Sequence, residues 1–190
     1  LNRPEQALAQ WEGESNPSDQ NWDGKTVSIG FDMSTNPRAE ELRGRISKEL
    51  GVESASNAEV GQYFIDNPEE SQNLLKEELR LHTEELKAAW PAYEQLDDVR
   101  QEAMSNLEFN MGNVTSKFPS MAKALEEEDF DEAAKQLLTT SSGKAASKFL
   151  KDVGPRRAGA MAFMLLTGKY PSQEEMEAAA KFIEEESGLI

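Results

Sequence analysis

The chain has 190 residues, with 36 acidic against 20 basic side chains, a formal net charge of −16 and no cysteine. That length supports one packed domain or two joined lobes, and the lack of cysteine excludes a disulfide framework and any thiolate metal site. The acidic balance disfavours nucleic acid and anionic membrane surfaces, whose binding draws on cations meeting phosphates, and no apolar run reaches the roughly 20 residues of a membrane span.

The first residues, LNRPEQALAQWEG, hold no apolar signal core, so no export signal is expected, and a start at Leu is expected of a processed chain or a piece of a larger protein. Residues 1–11 read as a short helix with Leu8 and Trp11 on one side. The stretch GESNPSDQNWDG that follows is turn chemistry. Val27, Ile29 and Phe31 then alternate with Thr26, Ser28 and Gly30, the period-2 pattern of a strand, so a small antiparallel sheet is expected across about 14–34.

Helices follow. Asn36-Pro37 places a cap before a proline at the first helical position, and Asn67-Pro68-Glu69-Glu70 repeats the signal, with Glu70 set to close a capping box. Leu75, Leu79, His82 and Leu86 form one stripe of a long helix over 68–89. Leu96, Val99, Ala103 and Leu107 mark an amphipathic helix that ends at Gly112. Further helices are expected near 119–127, 130–139 (capped by Asp129, with Glu132 three residues on) and 143–152. The run AMAFMLL within 156–167 is apolar on nearly all sides, as a helix buried in a bundle would be. Ser172 and Glu175 make a capping box for the last helix, with Gly188 as its stop. The fold class is therefore α+β: a small sheet-containing lobe over 12–66, a connecting helix over 68–89, and an all-helical lobe over 90–190 packed with helix 1–11, all within one domain, 1–190.

One constellation in this frame can carry chemistry. Glu12 sits where a helix ends, beside Trp11. Partial desolvation and the negative end of the helix dipole both favour its protonated form, the state a general acid needs. If Val27, Ile29 and Phe31 pack inward, Thr26 and Ser28 face a cleft or solvent. Asp19 and Asp23 lie in the preceding loop, so a Glu acid, an Asp base and a hydroxyl that holds water would make a glycosidase site. The plainer reading is a surface glutamate and two turn aspartates bonded to their own backbone.

Other conspicuous residues read as structure. His82, the only histidine, falls on the stripe of the long helix, and one His without Cys does not conveniently supply a zinc site, so no metal or cofactor is expected. Met161 and Met164 are core filling. The runs EEED at 126–129 and EEE at 184–186 are solvated faces, and TTSSGK at 139–144 lacks Walker A spacing and reads as a loop between helices.

Several segments, in order, resemble the T4-type phage lysozymes, a muramidase family. LDDVRQEAMSNLEFNMG at 96–112 carries L-x-x-V-R, A-x-x-N and F-x-M-G elements. FDEAA at 130–134, VGPRR at 153–157 with Thr167-Gly168 beyond it, WEG at 11–13 and TVSIGF at 26–31 continue the match. The resemblance spans about 1–170. It implies a lysozyme-like two-lobed fold and inverting hydrolysis of the β-1,4 bond from N-acetylmuramic acid to N-acetylglucosamine in peptidoglycan. Glu12 would be the general acid, Thr26 the threonine that positions water, Arg157 the arginine supporting the acid, and Asn110 a polar cleft residue. An Asp would activate water across a gap of roughly 6.5–9.5 Å. The implied setting is a phage-encoded protein acting on the cell wall, in the host cytoplasm before lysis or on a virion, where other parts of a phage particle would be its partners.

The chain departs from the family's pattern at four places. Gln20 stands where the family has its Asp, so Asp19, nearest in spacing, is the expected base and Asp23 the alternative. Ser28 replaces a glycine, Phe31 a histidine, and Trp11 an aspartate found in some members, so Arg157 can pair with Glu12 itself. The displaced Asp and the acidic surface keep two other readings open. One is a lysozyme-fold binding or structural module without turnover. The other is a lytic transglycosylase, which needs the Glu but no water-activating Asp.

Overall fold

The structure, a computed structural model, describes residues 13–189, so the helix expected at 1–11 and Glu12 itself lie outside the described residues. The chain divides into two compact units within one long helix, the first ending at Arg80 and the second beginning at Leu81. The class is α+β, as expected: a small two-stranded sheet near the front, then a long series of helices.

In the first unit, the segment expected as one strand is a hairpin. β1 (Thr26–Val27) pairs antiparallel with β2 (Phe31–Asp32), Thr26 opposite Asp32 and Val27 opposite Phe31. Ser28 bends the chain by taking φ 52°, a left-handed conformation uncommon for a residue with a Cβ. Its side chain is buried, with Oγ 2.5 Å from Ser71 Oγ. The alternation in T-V-S-I-G-F thus spans a turn, because Ser28 finds a buried hydroxyl partner that no strand geometry requires.

Two helices complete this unit's core, α1 (Ala39–Leu50) and α2 (Asn57–Asp66). Val27, Phe31, Met33, Leu42, Ile46, Val60 and Phe64 pack together, with Trp22, Tyr63 and Leu74 at the margin. Full burial of a side chain such as Phe64 contributes about 1.5–3 kcal/mol. The expected cap at Asn36 is not what starts α1. Asn36 instead accepts from Arg38 N at 2.9 Å and donates to Glu78 at 2.9 Å, so the helix begins at Ala39. Helix α2 opens with a full capping box between Ser56 and Glu59.

α3 (Pro68–Ala89) matches the expected long helix, with Leu75, Leu79 and Leu86 buried. At its start the Asn67 amide donates back to Tyr63 O at 2.7 Å, and Glu70 reaches Arg45 at 3.4 Å in place of closing a capping box.

In the second unit a 3-10 turn (Pro91–Gln95) precedes α4 (Asp98–Met111), the single-turn α5 (Val114–Lys117), α6 (Pro119–Glu126) and α7 (Phe130–Leu138). Asp129 caps α7 by accepting from Glu132 N at 3.1 Å. Next come α8 (Lys148–Thr167) and α9 (Gln173–Lys181), the latter with the expected Ser172–Glu175 box, and a π-turn (Phe182–Glu186). α8 is two helices joined at Gly154 and Pro155. Its second half, through Ala158, Met161 and Leu165, is the buried helix expected there, and α8 as a whole packs against α7, α9 and α4. The first half starts only at Lys148, because the 139–147 loop is closed by a bridge between Thr139 and Ala146.

α4 differs from the amphipathic helix its apolar spacing predicts. Arg100, Glu102, Asn106 and Glu108 are buried beside Ala103 and Leu107, so the polar side is enclosed too. Each of these four side chains makes at least one hydrogen bond, as burial favours. Arg100 donates to Leu165 O at 2.7 Å and Leu166 O at 2.9 Å and lies 3.4 Å from the Phe130 ring centroid. Tyr170 donates its hydroxyl to Glu102. Gly168 allows the close approach of Arg100, since a Cβ there would lie 2.6 Å from Nη1.

Candidate active site

The hairpin and the turn before it assemble the best-defined polar cluster among the predicted site residues. In D-G-K-T, Asp23 Oδ1 accepts from Lys25 N at 2.9 Å and Thr26 N at 2.7 Å, an Asx-type turn. The other oxygen accepts from Thr26 Oγ1 at 2.5 Å. Across the sheet, Asp32 faces Thr26 and pairs with Lys25 Nζ at 3.1 Å. Trp22 Nε1 donates to Thr26 O at 2.6 Å, tying the loop to β1.

The electrostatics follow from these bonds. For Asp23, partial desolvation pushes the pKa up. The Thr26 hydroxyl, the Thr26 and Lys25 amides and the Lys25 charge outweigh it and hold the carboxyl below its ordinary value. For Asp32, desolvation is likewise outweighed, by Ser34 through its hydroxyl and amide and by Lys25, and the pKa falls to about 2. Both carboxylates are thus held ionised at neutral pH. Such a group is unsuited to act as a general acid, and its lowered pKa makes it a weaker base than a free aspartate, though still an acceptor that can orient water.

Of the other predicted residues, Asp19 is exposed and accepts from Asn21 N at 2.8 Å, serving its own turn. Thr26 is half-buried, beside Asp23. Ser28, expected to face a cleft or solvent, is 1% exposed and bonded to Ser71. Phe31 is a core residue of the first unit. Glu12 lies outside the described residues.

Asn110 and Arg157 belong to the second unit. Asn110 lines a half-open cavity of about 760 Å³ with Met111, Phe118, Met121, Gln136 and Phe149. Arg157 is half-buried on α8, three residues past the Gly154 kink. Three side chains of this unit, His82, Glu85 and Glu108, lie close enough to share a metal ion.

Sequence reasoning passed over Lys25 and Asp32. The signal for Asp32 is the hairpin register, which sets it opposite Thr26, and reading 26–31 as one strand conceals that pairing. No protein-family model and no curated protein sequence matches this chain.

Proposed function

We propose that this chain is a muramidase that hydrolyses the β-1,4 bond between N-acetylmuramic acid and N-acetylglucosamine of peptidoglycan with inversion. The observation that carries the reading is the contact between Asp23 and Thr26, 2.5 Å from carboxylate to hydroxyl, in the turn that follows the W-E-G segment. Asp23 is the water-activating carboxylate in this proposal. It is preferred to Asp19 because it contacts Thr26 directly, whereas Asp19 accepts from Asn21 N in its own turn. Thr26 positions the water, Glu12 protonates the leaving oxygen, and Arg157 supports the acid. Two carboxyl groups with opposite protonation states are what inversion requires.

A second reading is favoured by the same turn. An Asp bonded to two backbone amides and a threonine hydroxyl holds a hairpin together whether or not chemistry occurs there. A lysozyme-fold binding or structural module of a phage particle would need no more.

Purified peptidoglycan treated with wild type, Glu12→Gln, Asp19→Asn and Asp23→Asn separates these readings, with mass spectrometry of the released ends. The proposal expects reducing N-acetylmuramic acid ends from wild type and from Asp19→Asn. Release by Glu12→Gln and Asp23→Asn should fall at least about a hundredfold, the scale of one positioned acid or base. No release by wild type assigns the chain to the binding module. Anhydro ends assign it to the lytic transglycosylases.

A further inference from the structure

His82 is the only histidine in the chain, and its surroundings in the second unit go beyond packing. His82 and Glu85 are three residues apart on α3 and share a face of it. Nδ1 of His82 lies 3.4 Å from Glu85 Oε2. From α4, Glu108 brings a third donor, and one ligand atom from each of the three lies within 4.8 Å of the other two.

The supporting contacts favour a fixed set of donors. The Phe109 ring meets the imidazole edge-on, with centroids 5.7 Å apart. Glu108 is held by the loop after α4, one oxygen accepting from Asn113 N at 2.8 Å and the other from Val114 N at 2.7 Å. Each carboxylate oxygen has a second lone pair, so these bonds orient Glu108 and leave it able to donate to a cation.

Burial is graded across the group. Glu108 is 4% exposed, the His82 side chain 28% and the Glu85 side chain 69%. A cation could therefore enter from the Glu85 side and keep water on that side. Two ligand atoms at about 2.1 Å from a tetrahedral ion are themselves about 3.4 Å apart, the spacing found between His82 and Glu85.

We propose that His82, Glu85 and Glu108 bind one divalent transition-metal cation, with zinc as the best fit to one imidazole and two carboxylates. Nitrogen and oxygen donors of this kind favour zinc over magnesium or calcium, which take oxygen alone. The cation offsets the repulsion of two carboxylates drawn together and clamps α3 to α4. The competing arrangement has no metal, with His82 and Glu85 joined only by their direct contact.

Titration of chelator-treated, tag-free protein with zinc chloride, in excess magnesium to occupy weak surface carboxylates, distinguishes the two. Calorimetry and NMR of the single imidazole are the readouts. The proposal expects one zinc per chain, with the imidazole signals shifting to the same equivalence point. Affinity should fall on the order of tenfold or more in Glu85→Gln and in His82→Gln. Glu85 is exposed, so Glu85→Gln tests the site without unfolding the chain. No saturable binding, an unmoved imidazole signal, or wild-type affinity in Glu85→Gln would overturn the proposal.

Discussion

The Asp32 carboxylate accepts from Ser34 through amide and hydroxyl, at 2.7 and 2.6 Å, and pairs with Lys25 at 3.1 Å. Its folded pKa of about 2 lies below the 3.8 of the free group. A depressed carboxylate pKa contributes stability that is fully present above the unfolded value and lost as pH falls through the folded one. Asp32→Asn should therefore destabilise the first unit near pH 7 by on the order of 1 kcal/mol after solvent screening. The difference from wild type should shrink as pH drops from about 4 towards 2. Urea denaturation at a series of pH values checks this, and a difference that stays constant down to pH 2 would count against it. Asp19, Asp23 and Thr26 could all be named from the sequence, but which aspartate contacts Thr26 could not. Counting six residues back from Thr26 points nearest to Asp19. The turn instead folds Asp23 onto Thr26, because the two oxygens of a carboxylate three residues before a threonine can take its amide and its hydroxyl. The distance that matters is set by turn geometry, which spacing along a chain does not encode.

Gly154 separates the two halves of α8 at φ 80° and ψ 167°, a region essentially reserved for glycine. A Cβ there would meet nothing within 4 Å, so Gly154→Ala isolates the backbone cost, expected at about 1–3 kcal/mol. Gly44, inside α1 and also with open space around it, is the control. Gly44→Ala should stabilise by about 0.5–1 kcal/mol, since alanine gives up less backbone entropy in a helix. Urea midpoints of the two variants should move in opposite directions, and a shared direction would show that the Gly154 kink relaxes without cost. Elements bounded by local chemistry were legible: α3 from its apolar stripe, α7 from Asp129, and α9 from Ser172 and Glu175. α2 carries the same signal in Ser56 and Glu59, and its apolar residues Val60 and Phe64 complete it. The hairpin and the polar side of α4 were not legible. Ser28 is turned inward by Ser71, 43 residues away, and Arg100 is enclosed by carbonyls 65 and 66 residues away. Partners that distant override a local pattern without leaving a trace in it.

At the scale of the whole molecule, surplus negative charge dominates. A net charge of −16 sets up a field that repels anionic surfaces, and bacterial walls are often net anionic. Acting as a muramidase, this chain would approach its substrate against that field. The repulsion is long-ranged and screened by salt. The Debye length falls from about 30 Å at 0.01 M ionic strength to about 8 Å at 0.15 M, while short contacts inside a cleft change little. Hydrolysis of intact anionic walls should therefore rise several-fold over that salt range. Hydrolysis of a short uncharged glycan fragment should stay nearly flat, because no extended field opposes its approach. The fragment also controls for stability, since salt relieves self-repulsion in the protein itself and would raise both rates together if folding were limiting. Initial rates on both substrates at one temperature decide the matter. A wall rate that falls with salt would mean that local cationic groups such as Lys117 and Lys148, which line the 760 Å³ cavity, outweigh the net charge in meeting the wall.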